Sequence, residues 1–407
     1  MTSIFYEQAE MYPYMAVVES VLVAVLLVSV FLVVYAYALY PLTLWAIASV
    51  VPTTTPRRER DELPEVALIV AAYNEETVIA DKLENCLELD YPESKLDVVV
   101  FSDASSDRTD DIVRSYADRG IRLERIEGRV GKTACQNEVA EMVDAEVLVF
   151  SDANSMYEPD AVRTLVSSMG PDVGCVVGEL QLSRKADNVE GESIWWLYNR
   201  FIKQYESRLG SVVKGNGAIY AVRSEAYVPL PADAISDFAE PLSIRSDGWR
   251  VVYEPDAVAR EDTAKSVDAE LNRKVRITTR SWHTLAQYLH LLNPLRYGFF
   301  SVKFASDTLL WWSTPMLSAV AFVALGALAA LTGSLLYVVP FLAAVGFLLL
   351  GLVGYLLEDG RRKVPTVFHV PHYFLIGNYS LVVGAWNFVN SRNVVTWETA
   401  NESSTKD

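Results

Sequence analysis

Val66-Ala67-Leu68-Ile69-Val70 runs into Ala71-Ala72-Tyr73-Asn74-Glu75-Glu76. The first five residues offer no polar side chain to turn toward water, so they read as a strand buried on both faces. The second stretch is polar. The same junction recurs at Asp97-Val98-Val99-Val100-Phe101 followed by Ser102-Asp103-Ala104-Ser105-Ser106-Asp107. It recurs again at Glu146-Val147-Leu148-Val149-Phe150 followed by Ser151-Asp152-Ala153-Asn154-Ser155. A short strand is expected over residues 121–126, and helical patterns fill 77–89, 107–118 and 132–143. Strands alternating with helices predict a mostly parallel sheet with helices on both faces. Ligands bind such sheets beyond the carboxyl ends of the strands, so chemistry is expected at Asn74, Asp103 and Asp152.

The flanks have another composition. After Glu19 no charged residue appears until Arg57. A bilayer span needs about 20 apolar residues, so one helix is well supplied, and Pro41 is expected to bend or end it. The stretch is too long for the apolar part of a signal peptide and is expected to stay as an anchor. Glu7, Glu10 and Glu19 precede it, and Arg57, Arg58 and Arg60 come after it; this asymmetry puts the α/β segment beyond Arg60 in the cytoplasm. No charge lies between Asp307 and Glu358, which suits two spans joined by a tight turn near Thr332-Gly333-Ser334. A final apolar stretch, 373–389, is interrupted by Asn378 and Asn387; it either spans or packs within the bundle. Trp282, Leu285, Leu289 and Leu292 recur at helical spacing and predict a helix over 282–292, lying in the membrane interface or packed on the catalytic domain.

The 407 residues carry 35 Lys+Arg against 52 Asp+Glu, a formal charge of -17. A nucleic-acid backbone requires a basic face, so no nucleic-acid partner is expected. The acidic balance fits a protein that stays soluble in high salt, or an ordinary acidic cytosolic surface. Cys86, Cys135 and Cys175 lack metal-ligand spacing and are expected as reduced core thiols.

Three polar strand ends converging on one sheet edge are more specific than any one of them. Their order and spacing resemble an inverting family-2 glycosyltransferase with a GT-A catalytic domain, and within it the membrane-bound branch of cellulose-, chitin- and hyaluronan-synthase-like proteins. The resemblance covers residues 64–282. It implies that Asn74 and Glu75 sit beside the nucleotide and that Asp103 contacts the uracil or ribose. Gly131-Lys132 is similar to the family's Gly-Lys pair near the nucleotide; read from the residues alone, it is a helix start whose lysine can reach a phosphate. Asp152-Ala153-Asn154 occupies the place of the family's Asp-x-Asp, implying Mg²⁺ or Mn²⁺ on Asp152 and Asn154. Asn154 adds no negative charge, so weaker metal binding is expected.

Further along, Lys214-Gly215-Asn216-Gly217-Ala218-Ile219-Tyr220 looks like the family's Gly-rich acceptor-side loop, which assigns Gly215, Asn216 and Gly217 to the acceptor. Ser236-Asp237-Phe238 stands at the position of the motif that carries the general base, so Asp237 is the expected base. The run Gly248-Trp249-Arg250-Val251-Val252-Tyr253-Glu254-Pro255 matches as well. Arg273-Lys274-Val275-Arg276-Ile277 replaces the family's Gln-x-x-Arg-Trp. Arg276 aligns with the arginine that meets the diphosphate, a task suited to a planar guanidinium. The tryptophan is lost, and Trp282 is the candidate substitute in the acceptor site. Lys274 and Arg280 fit equally well a basic helix face against anionic headgroups.

The expected architecture is therefore an α/β GT-A domain over residues 61–282. It comes after an N-terminal transmembrane segment, 1–60, and precedes an interface helix, two to three C-terminal spans and a polar tail, 283–407. The expected reaction is transfer of a hexose or N-acetylhexosamine from a UDP-sugar, with inversion, to a growing polysaccharide. Transfer of one sugar to a lipid-linked acceptor is the alternative, and an inactive nucleotide-sugar-binding scaffold for a synthase is the alternative of another class. The expected setting is the cell membrane, multi-pass, with the catalytic domain cytoplasmic.

Overall fold

The computed structural model describes residues 2–51, 62–183, 190–262, 267–357 and 365–390. Two compact units emerge, residues 1–43 with 305–383, and residues 44–304 with 384–407.

The second unit is built on an eight-stranded sheet. In chain order its strands are β1 (Val66–Ala72), β2 (Leu96–Asp103), β3 (Ile121–Ile126), β4 (Val147–Asp152), β5 (Met156–Tyr157), β6 (Val173–Ser183), β7 (Ile219–Arg223) and β8 (Arg250–Asp262). The spatial order is β3-β2-β1-β4-β7-β6-β8-β5. The first four are parallel; β7 runs antiparallel to both β4 and β6, and β8 is parallel to β6. This is the mixed sheet of a GT-A domain. All seven residues of β1 are buried, which is why its sequence shows no alternation.

The chain leaves β1 in one direction to build β2 and β3, then returns to place β4 on the other side of β1. That reversal opens a crevice at the carboxyl ends of β1 and β4. The register sets the depth of each polar residue. Ala71 lies beside Asp152, and Ala72 beside Ser102, so Asp103 projects one residue further out on the neighbouring strand.

Helices close both faces. Ile79–Leu87 and Ala161–Ser167 pack with Leu68, Val70 and Val149 on one side. Lys132–Met142 and Ser236–Ser246 pack on the other, over Ile69, Phe101 and Phe150. Phe150 stacks on Tyr220 at 4.9 Å and on Tyr227 at 5.8 Å. Truncating a buried aromatic of this kind to alanine costs about 3–5 kcal/mol. Cys86, Cys135 and Cys175 are buried free thiols.

Among the described residues three helices are long and apolar enough to cross a membrane: Tyr14–Val50, Phe299–Thr332 and Leu335–Leu357. The turn expected at Gly333 is present, with φ +61°, a value that glycine adopts without a Cβ penalty. Pro41 does not end the first helix. A π turn at Tyr35–Leu39 precedes it, and the helix continues as Tyr40–Val50. Widening the ladder there relieves the clash of the proline ring with the preceding turn. Within the first unit, Tyr35 and Ser306 hydroxyls are 3.1 Å apart, and those of Tyr37 and Thr314 are 3.3 Å apart. The last apolar stretch forms the helix Thr366–Val389, which is not among the three.

A single helix over 282–292 is not formed. Trp282 and Leu285 end the helix Val267–Gln287, and Leu289–Leu292 is a separate 3₁₀ turn. Leu285 is 2% exposed and Leu289 47%, so the expected apolar stripe does not share one face.

Candidate active site

Four segments of the second unit meet at the crevice. The first is the end of β1. Asn74 adopts φ +52°. Its side-chain oxygen accepts the Ser106 N–H at 2.8 Å and the Ser106 hydroxyl at 3.3 Å, which ties β1 to the loop after β2. Burial pushes the Glu75 carboxyl up to about 7, and the charges of Asp152, Asp107 and Glu261 add to the shift. Glu75 therefore faces an acidic neighbourhood, the setting that a bound cation relieves.

The second segment is the loop before the Lys132 helix. Asp103 has no exposed surface. It accepts the Val130 and Gly131 N–H groups at 2.8 and 3.1 Å, and an Arg129 nitrogen at 3.4 Å. Gly131, with φ +98°, lets the chain turn directly into the helix Lys132–Met142. In this conformation Asp103 shapes the loop from beneath. The Arg129 guanidinium lies 3.2 Å from the centre of the Tyr73 ring. Sequence reasoning missed this stacked pair, because the two residues belong to different loops.

The third segment is the turn after β4. Lys132 and Asp152 are ion-paired. Asn154 is exposed on the same turn. Beneath it lies Lys82, completely buried, whose ammonium donates to the Ser155 carbonyl at 2.5 Å and sits 4.1 Å from the Tyr157 ring centre. Burial holds its pKa below the usual lysine value. Nothing in the helical pattern of 77–89 singles out this lysine.

The fourth is the loop 214–217 with the helix Ser236–Ser246. Gly215 N–H donates to the Asp237 carbonyl at 2.9 Å. A Cβ placed on Gly217 would lie 3.3 Å from Lys132 Nζ, 3.8 Å from Asp237 Cβ and 3.9 Å from Asp152 Oδ2. Lys132, Asp152 and Asp237 thus come together beside Gly217, and the absence of a side chain there leaves room between them. Asn216 takes no part in the opening: its amide donates to the Gly178 carbonyl at 2.7 Å and its oxygen accepts the Ile219 N–H at 3.0 Å. Burial raises the Asp237 pKa above the usual carboxylate value; Lys132, Arg280 and Lys203 oppose the shift, while Asp152 adds to it. A carboxylate so placed is a better proton acceptor than one in water.

Arg276 lies on the helix Val267–Gln287, close enough to Arg280 for their charges to repel. Arg280 does not belong to an exposed basic face. It is 8% exposed and bonded to the carbonyls of residues 233 and 234. Trp282, further along that helix, is half-buried.

Among the described residues no three His, Cys, Asp or Glu side chains gather as a metal-binding set. The donors expected from the sequence, the Asp152 carboxylate and the Asn154 amide, lie two residues apart at the end of β4. Two hard oxygens on one turn fit Mg²⁺ or Mn²⁺ that completes its shell with water and phosphate. The Asp152 carboxylate is paired with the Lys132 ammonium in the structure.

A strand-order reversal with carboxylates and a lysine at its mouth is the place where an open α/β sheet binds its ligand. The family model described as "Glycosyl transferase family 2" matches residues 67–227. Those residues belong to glycosyl transferase family 2, and the chain carries a family-2 glycosyltransferase domain of GT-A fold. Among curated proteins, it is 26% identical over 175 residues to a beta-monoglucosyldiacylglycerol synthase of Trichormus variabilis, covering 41% of this chain and 37% of that one. It is 26% identical over 206 residues to a poly-beta-1,6-N-acetyl-D-glucosamine synthase of Staphylococcus aureus, covering 48% and 49%. The chain thus spans less than half the length of either curated relative. Among solved structures, the mannosyltransferase PcManGT from Pyrobaculum calidifontis, in complex with GDP-Man and Mn²⁺, matches with a TM-score of 0.69 at 22% identity. The match covers 92% of this chain and 99% of that one, a likeness of fold.

Proposed function

We propose that this chain is a membrane glycosyltransferase that transfers a hexose or N-acetylhexosamine from a nucleotide-diphosphate sugar, with inversion. The observation that carries the reading is the meeting of Lys132, Asp152 and Asp237 around Gly217. Lys132 and Arg276 take the charge of the leaving diphosphate. Asp237 removes the proton of the acceptor hydroxyl as its oxygen attacks the anomeric carbon from the face opposite the nucleotide. The bond to the diphosphate breaks, and the configuration inverts. A divalent ion held by Asp152 and Asn154 would add charge neutralisation on the diphosphate. Three apolar helices and basic residues at 57, 58 and 60 support a domain on the cytoplasmic face of the cell membrane.

The proposed donor is a UDP-sugar and the proposed acceptor a growing polysaccharide; the poly-N-acetylglucosamine synthase relative supports a polymer product. Ile277 in place of tryptophan and the glucosyldiacylglycerol synthase relative favour a second reading, one sugar added to a lipid-linked acceptor. Purified protein in nanodiscs, incubated with labelled UDP- and GDP-sugars, tests both through nucleotide release and product size. Asp237→Asn is expected to abolish transfer and keep nucleotide binding. Retained turnover in that variant rules the assignment out.

A further inference from the structure

Residues 233–235 deliver the chain into the helix that starts at Ser236, and side chains from two other helices grip them. Arg280 donates from Nε to the Asp233 carbonyl at 3.1 Å and from Nη2 to the Ala234 carbonyl at 2.6 Å. Thr133, next to Lys132, donates its hydroxyl to the same Ala234 carbonyl at 2.8 Å. Thr284, one turn beyond Arg280, accepts the Ile235 N–H at 3.4 Å. Thr133 is 3% exposed and Thr284 0%. The Ile235 carbonyl then receives the Phe238 and Ala239 N–H groups at 3.1 and 2.7 Å, which fixes the first turn around Asp237.

One carbonyl is thus shared by the helix that carries Lys132 and the helix that carries Arg276. A guanidinium presents its donors in a rigid fork, and here two successive main-chain carbonyls meet that fork. An ammonium is a point charge and cannot reproduce the planar two-point grip. We infer that Arg280 is a positioning residue: it fixes Asp237 against the two helices that hold the donor diphosphate, so that base and leaving group keep one register. The inference rests on the function proposed above. Its chemistry is placement, and misplacing a reacting group by about 1 Å costs on the order of 100-fold in rate.

The full chain in nanodiscs tests it, as wild type, Arg280→Ala, Arg280→Lys and Thr284→Val. UDP affinity, donor KM, kcat and thermal midpoint are read for each. Loss of an interaction that serves only the transition state lowers kcat while UDP affinity and donor KM stay within about two-fold. Arg280→Ala is expected to lose kcat by about 100-fold. Arg280→Lys should fall nearly as far, and Thr284→Val should show a smaller fall of the same kind. Restoration of kcat by lysine would mean that charge alone matters, and overturns the inference. So does lost UDP affinity with kcat intact, which would move Arg280 to the diphosphate. Where Arg280→Ala does not fold, Thr284→Val decides, and an unchanged kcat there is equally adverse. A wild type that transfers no sugar defeats the proposed function itself, and that result is visible before any variant is compared.

Discussion

Lys132, the first residue of its helix, and Asp152, the last residue of β4, are ion-paired with side chains 20% and 32% exposed. The pair lies at the carboxyl end of β4, where Asp152 is beside Ala71 of β1. A diphosphate entering there competes with Asp152 for the ammonium. Lys132→Met should therefore weaken nucleotide binding by about 10–100-fold, the worth of one hydrogen bond to a charged group. Isothermal titration with UDP and with GDP checks it, and unchanged affinity for both would place the diphosphate elsewhere.

The two loop glycines should respond differently to alanine. A Cβ on Gly215 would lie 2.9 Å from the Asp237 carbonyl oxygen and 3.4 Å from Pro241 Cγ, so main chain must move. Overpacking of that kind costs about 1–3 kcal/mol. Gly215→Ala should lower both the thermal midpoint and kcat. At Gly217 the nearest atom is the mobile end of Lys132, at 3.3 Å. Gly217→Ala should keep the midpoint and reduce nucleotide affinity. Thermal unfolding and UDP titration on both variants separate the cases.

Asn154 gives the proposed metal site one charge less than a pair of carboxylates. Asn154→Asp restores it and should tighten Mn²⁺ binding about ten-fold, since charge count tunes such oxygen sites. Direct Mn²⁺ titration after chelation measures this without recourse to activity. No gain in affinity would remove Asn154 from the ligand set.

Glu240 lies one turn beyond Asp237, buried to 1% exposure, and its Oε1 has no hydrogen-bond partner among the described residues. Burial pushes its pKa from 4.5 to about 8. Below 4.5 the carboxyl is protonated whether folded or unfolded, and it has no effect on the pH dependence. Between 4.5 and about 8 the unfolded chain gives up the proton while the fold keeps it. Stability then falls as pH rises, by at most about 1.4 kcal/mol per pH unit, and levels off once the folded form ionises. Glu240→Gln should flatten that slope. Midpoints measured from pH 5 to 9 check it; an unchanged slope would show that Glu240 ionises normally.

Local patterning made the first half of the catalytic sheet legible. Residues 121–126 form a strand as expected, the runs at 66–70 and 97–101 lie within β1 and β2, and 146–150 overlaps β4 from Val147 on. β1, β2 and β4 are buried on both faces over most of their length, so a run of apolar residues identifies them. Lengths of charge-free sequence likewise marked three helices able to cross a membrane. Of the two outcomes expected at Pro41, the helix does not end there; a π turn over Tyr35–Leu39 accommodates a ring that a regular α-helix cannot.

By itself the sequence determined which strand ends are polar, which stretches suit lipid, and the order of a family-2 domain. Only the tertiary structure decided that Gly217 opens the space between Lys132, Asp152 and Asp237, that Asn216 is taken up by the Gly178 carbonyl, and that Arg280 grips main chain rather than headgroups. Periodicity reports contacts a few residues apart, through the repeat of a helix or strand. The partners in each of these relationships are tens of residues apart, and the pairing of β7 with both β4 and β6 brings the loop that precedes it beside β4.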